Sequence, residues 1–219
     1  MAPFWRGLGA RANRGADERR ASCYFPGMNA PVAPAVKAPR HEFTWEELQD
    51  LRAKGFMAGV KRLALHDGDI VHMPDDGDLH ISVAMRVGQL FMAELRGQPY
   101  FVGVQTTLRL SRKNAPMPDI YVLAGGPPKG EVPAEKILLV VEVADTSLKA
   151  DLTESASRYA RHGVGEFWVI DANARVIHVH RDPQDGTYLA PTLIAAADAI
   201  APRALPTLWV CLDQIAPIG

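Results

Sequence analysis

The chain has 219 residues, 47% of them hydrophobic, and a formal net charge of −1, which suits one domain with a buried core and is too short for two large ones. Its apolar runs do not exceed five residues, that at 137–141 ending at Glu142, far below the roughly 20 residues needed to cross a bilayer, so no membrane-spanning helix is expected. Cys23 and Cys211 form no CxxC pair and no cleavable apolar leader is present, which argues against a disulfide framework and a zinc site and for a reducing, cytoplasmic compartment.

The near-neutral total hides an asymmetry. Residues 1–40 hold seven Lys/Arg and two acids, leaving 17 basic and 23 acidic residues for positions 41–219. An acidic surplus argues against tight nonspecific gripping of long nucleic acid, although a local basic patch stays open. The first forty residues mix Arg, Gly, Ala and Pro with no helical or strand period and are expected to be a disordered tail. Met28 offers an alternative start, and residues 41–219 are expected to form the domain.

Thr44 suits a helix N-cap, with Glu47 three residues on as in a capping box, and predicts a short helix to about Lys54. Two short strands, Lys61 to Leu65 and Ile70 to Met73, flank Asp67-Gly68, which supplies the positive φ of a hairpin turn. From Asp78 to Glu94 the apolar residues Ile81, Ala84, Met85, Gly88, Phe91, Met92 and Leu95 recur at helical spacing, predicting a long helix with that whole stripe in the core. Strands are expected at Tyr100 to Leu110, Asp119 to Leu123, Ile137 to Val143, Glu166 to Ile170 and Val176 to His180, with a helix at Asp151 to His162 closed by Gly163. The run at 137–143 implies burial on both sheet faces, and Leu208 to Leu212 is expected to close the core.

Glu142 interrupts this apolar strand, where an unpaired carboxylate would cost several kcal/mol. A metal ion shared with Asp119, at the start of the preceding strand, would satisfy it. Mg²⁺ takes oxygen ligands and keeps waters, so two carboxylates and the backbone carbonyl of Val143 would leave room for a phosphate and an attacking water, which is phosphodiester chemistry. The competing reading puts Glu142 at an edge, facing water or an arginine, and makes Pro118-Asp119 a simple turn. Trp168 and Tyr159 fit core packing better than base stacking. His178 and His180 share a strand face, as a metal pair or an exposed polar face, and stay outside the site.

The ordered series Pro118-Asp119, Val140-Val141-Glu142-Val143-Ala144-Asp145, Asp151, Tyr159-Ala160-Arg161-His162-Gly163-Val164 and Glu166-Phe167-Trp168-Val169-Ile170-Asp171 resembles the Uma-two family of putative restriction endonucleases, of the PD-(D/E)XK nuclease superfamily. The resemblance reaches from about Phe43 to Ile215 and includes Asp67-Gly68-Asp69 and His80. It implies an α/β fold, restriction-endonuclease-like, with a central mixed sheet flanked by helices. It also implies Mg²⁺, or Mn²⁺ in its place, on Asp119 and Glu142, with Asp69 and His80 as further site residues, DNA as partner, and self-association into a homo-oligomer. Two departures stand out. The lysine expected at position 144 or 155 is replaced by Ala144 and Ser155, leaving Lys149 and Arg158 as the nearest substitutes, and Ala64 stands where the family often has Glu. The readings carried forward are a metal-dependent DNA endonuclease weakened by the lost lysine, a nuclease-fold binding or assembly module without turnover, and a phosphohydrolase of small substrates.

Overall fold

A computed structural model describes residues 40–215; the expected tail, Met28 and Cys23 lie outside the described residues. Helix α1 (Trp45–Ala53) opens with the predicted capping box, in which the Thr44 hydroxyl accepts the Glu47 N–H and the Glu47 side chain accepts the Thr44 N–H. Such a cap stabilises a helix by about 1 kcal/mol. Strands β1 (Leu63–His66) and β2 (Asp69–His72) pair antiparallel through a turn with Asp67 at φ 49° and Gly68 at φ 81°. A Cβ on Gly68 would sit 2.6 Å from the Glu42 Cβ, so both its backbone and its closeness to Glu42 demand glycine. Leu48, Leu63, Leu65 and Ala115 bury this hairpin and α1 as a small core.

The main sheet has six strands in the order β3 (Tyr100–Val104), β4 (Ile120–Ala124), β5 (Ile137–Ala144), β6 (Glu166–Asp171), β7 (Val176–Arg181) and β8 (Thr192–Ala195). All neighbours are antiparallel except β5 and β6, which run parallel. The crossover joining that parallel pair consists of α3 (Leu148–Ala150), a stretch of π-helix at Asp151–Ser155, and α4 (Ala156–Arg161), and Gly163 closes it at φ 72°. The expected mixed sheet with flanking helices is therefore the observed fold.

Both faces of β5 are covered, as its composition required. Leu139, Val141 and Val143 join α2 (Asp78–Glu94) and the C-terminal residues Leu205, Leu208, Val210, Leu212 and Ile215 in one core. Val140 and Ala144 join Tyr159, Ala160 and Phe167 in the other. Glu142 follows Val140 by two, and so projects from the α4 face.

Four local expectations need correction. In α2 the buried residues are Ala84, Val87, Gly88 and Phe91, whereas Ile81, Met85 and Met92 are exposed. The helix is apolar almost all round, so its period marks a helix without choosing the buried side. Strand β3 stops at Val104 because Gln105 takes φ 47°, outside the extended region. The crossover begins at Leu148 and contains a π-turn instead of running as one helix from Asp151. His180 is buried, 5.6 Å from Phe167 and 5.4 Å from Tyr188 between ring centroids, rather than lying on an exposed polar face. Strand β8, mostly exposed, was not foreseen.

Candidate metal centre

The register of β4 on β5 pairs Ile120 with Val141, so the next residues outward, Asp119 and Glu142, face each other at the sheet's end. The Asp119 N–H donates to Glu142 Oε2 at 3.2 Å, and the Val143 N–H donates to Asp119 Oδ2 at 2.8 Å. The Tyr159 hydroxyl, fully buried in α4, donates to Glu142 Oε1 at 2.8 Å. Each carboxylate is thus fixed by backbone and one side chain from a neighbouring element. The hydroxyl of Tyr159, a residue placed by its pattern only in the core, contacts the site.

Around them lies a cavity of about 210 Å³ whose walls include Arg62, Asp76, His80, Asp119, Glu142, Val143, Asp145 and Asp151. His80, in the first turn of α2, has Nε2 2.9 Å from Asp119 Oδ1 and 3.7 Å from Asp76 Oδ2. Ligand atoms of Asp76, His80 and Asp119 all lie within 4.8 Å of one another, a spacing that one cation can bridge. Asp76 itself accepts Arg62 Nη1 at 2.6 Å and Gln105 Nε2 at 3.0 Å.

The electrostatics are those of crowded acids. Burial, then the charges of Asp119 and Asp151, push the Glu142 carboxyl well above its ordinary value. Burial also raises Asp151, which is only partly relieved by the Ser147 and Ser155 hydroxyls and is raised further by Asp119. Burial alone would pull His80 down, but its bond to Asp119 and the charges of Asp119 and Asp76 hold it above the usual imidazole range. A divalent cation would relieve each of these strains at once, and a donor set of carboxylates, a carbonyl and one imidazole fits Mg²⁺ or Mn²⁺ in chemistry.

Of the residues expected from sequence, the fold gathers Asp119, Glu142, His80 and Val143 in this cavity. It leaves three elsewhere. Asp69 pairs with Arg40 at 2.5 Å, with the arginine largely and the aspartate about half exposed. Lys149 is exposed on α3. Arg158 is buried, with Nη2 3.1 Å from His66 Nδ1, and it helps, with burial the larger cause, to lower that imidazole to about 4. Ser155, where a lysine is expected, bonds Asp151 at 3.2 Å, and Ala64 is fully buried in β1. Asp76, Asp145, Asp151, Arg62 and Gln105 were missed. For Asp76 the one sequence signal was its place four residues before His80, in the loop that leads into α2.

A crystal structure titled a putative nuclease belonging to DUF820, from Anabaena variabilis, matches the fold with TM-score 0.58 and 14% identity, over 70% of this chain and 88% of that one. No curated protein matches the chain significantly. The model of the Uma2 family, described as "Putative restriction endonuclease", matches residues 45–215. That span takes in α1, the hairpin, the whole mixed sheet and every residue of the acidic cavity, and on it the chain belongs to the Uma2 family.

Proposed function

We propose that this protein is a metal-dependent nuclease that hydrolyses phosphodiester bonds in DNA, with turnover weakened by the absence of a lysine at its centre. The observation that carries the reading is one cavity that Asp119 and Glu142 enter from adjacent strands, with the ligand atoms of Asp76, His80 and Asp119 close enough to share a cation. Asp119, Glu142 and the Val143 carbonyl would hold Mg²⁺ or Mn²⁺, with Asp76 and His80 beside them. A bound divalent ion supplies Lewis acidity toward a phosphate oxygen and lowers the pKa of water.

The chain's own groups do the rest. Tyr159 and the Asp119 N–H fix both Glu142 oxygens, and the Val143 N–H fixes Asp119, so the acids need little reorganisation. Burial and the Glu142 charge keep the Tyr159 phenol protonated, so it remains a donor. Arg62 lines the rim and offers a guanidinium to a phosphate. His80 holds a proton at Nε2 against Asp119 and can release it when a cation takes its place. It lines the cavity and carries an imidazole, the side chain most often used for proton transfer.

A second reading, a small-substrate phosphohydrolase, draws support from the cavity's modest volume and from Arg62 being, among the described residues, its one arginine or lysine. A third, a member without turnover, rests on Ser155 and the distant Lys149 and Arg158. Plasmid and mononucleotide-ester hydrolysis with Mn²⁺, alongside calorimetric metal binding, separates them. Asp119→Ala and Glu142→Ala should each abolish metal binding and lower cleavage by about 10²- to 10³-fold. Ser155→Lys should raise it by at least about 10-fold by restoring a cation near the attacking water. Hydrolysis of the small ester alone supports the second reading; metal binding without any hydrolysis, even in Ser155→Lys, supports the third.

A further inference from the structure

Gln105 sits where β3 ends, with φ 47°. This left-handed conformation favours glycine and costs other residues stability. Its backbone N–H donates to the Asp119 carbonyl at 2.9 Å, and its side-chain Nε2 donates to Asp76 Oδ2 at 3.0 Å. One residue therefore ties together the start of β4, which carries Asp119, and the loop before α2, which carries Asp76. Among the described residues, six non-glycines have positive φ, and Gln105 is the one whose side chain bonds a carboxylate of the acidic cavity. Of the other five, Met57, Asp67, Arg175 and Asp185 lie in turns, and Asp182, at a bend like Gln105, faces Arg203.

We infer that Gln105 is a positioning residue for the metal centre, retained in a strained backbone because its amide holds Asp76 against His80 and Asp119. This rests on the metal reading above. Arg62 bonds the same Asp76 oxygen at 2.6 Å. Two donors from separate elements thus hold Oδ2, the Asp76 oxygen that lies 3.7 Å from His80 Nε2. Supporting bonds of this kind orient a metal ligand without touching the ion. A glycine would ease the backbone but give up the amide, so the position trades stability for geometry.

The test is Mn²⁺ binding by calorimetry and thermal unfolding without metal, on wild type, Gln105→Gly, Gln105→Met and Asp119→Ala. Gln105→Gly should unfold at the same or a higher temperature yet bind Mn²⁺ about 10-fold more weakly, the low end for loss of such a supporting bond. Gln105→Met keeps the side-chain length and the strained backbone without the donor, and should weaken binding to the same degree with no gain in stability. A merely structural glutamine predicts the reverse, lower unfolding temperatures with unchanged affinity, and that result overturns the inference. Wild-type affinity in both variants overturns it while leaving the metal reading intact. No Mn²⁺ binding by wild type, matching Asp119→Ala, removes both.

Discussion

Glu142 and Glu166 are two glutamates in adjacent, apolar, parallel strands, and the protein treats them in opposite ways. Glu166, at the start of β6, accepts the Trp168 indole N–H at 2.8 Å, two Arg181 guanidinium donors at 2.9 and 2.8 Å, and the Arg203 backbone N–H at 2.8 Å. Its charge is matched by a cation and its lone pairs are filled. Glu142 accepts one phenol and one backbone N–H, has no arginine or lysine bonded to it among the described residues, and shares its cavity with Asp119 and Asp151. The first is a finished structural ion pair; the second is a carboxylate still short of a positive charge. Sequence alone shows two acids in apolar runs, and only the partners tell them apart.

The sharpest way to break this comparison is to remove Glu166. Glu166→Ala leaves the Arg181 guanidinium, the Trp168 N–H and the Arg203 N–H without their acceptor, and should destabilise folding by about 3–5 kcal/mol in urea unfolding, with Mn²⁺ affinity unchanged. Glu142→Gln should do the opposite, removing metal binding while leaving metal-free stability equal or improved, because it takes one charge out of a crowded acidic cavity. Equal loss of metal affinity in both variants would dissolve the distinction.

A smaller effect follows from acidity. The folded-state carboxyl of Glu142 lies above its unfolded value, so its protonated form favours the fold. That stability is fully present below the ordinary carboxylate range and is lost as pH rises through the raised folded-state value. The stability of the metal-free wild type should therefore fall with rising pH more steeply than that of Glu142→Gln. Saturating Mn²⁺, at about 100 times its Kd, should restore about 2.7 kcal/mol at neutral pH in wild type alone. Identical pH profiles for the two proteins would mean that Glu142 ionises freely and needs no cation.

The fold was legible where local chemistry and periodicity agreed. The Thr44–Glu47 capping box, the Asp67-Gly68 turn, the apolar β5 run and the Gly163 stop each have one physical reading. It was less legible where periodicity was ambiguous. Helix α2 is apolar on too many sides to declare its buried face, and the π-turn at Asp151–Ser155 follows no period at all. For the site, Glu142 announced itself by contradiction, a charge in a buried strand. Asp76 and Gln105 did not, because a loop aspartate and a strand-end glutamine are ordinary in sequence, and only the tertiary approach of β3, β4 and the loop before α2 brings them together.

The smallest expected effect concerns Asp69, which family resemblance would bring to the centre and which the fold instead sets on the hairpin, against Arg40. The side chains of that pair are 71% and 46% exposed, so solvent screens most of their attraction. Asp69→Ala should change stability by less than about 0.5 kcal/mol, and leave Mn²⁺ affinity and cleavage at wild-type levels. Glu166 and Asp69 then stand on either side of Glu142: one acid matched by a partly buried cation, one in a solvent-screened surface pair, and between them one with neither. A fall in Mn²⁺ affinity in Asp69→Ala would mean that the hairpin swings its acid into the cavity when a cation binds, and that the hairpin belongs to the site as well as to the scaffold.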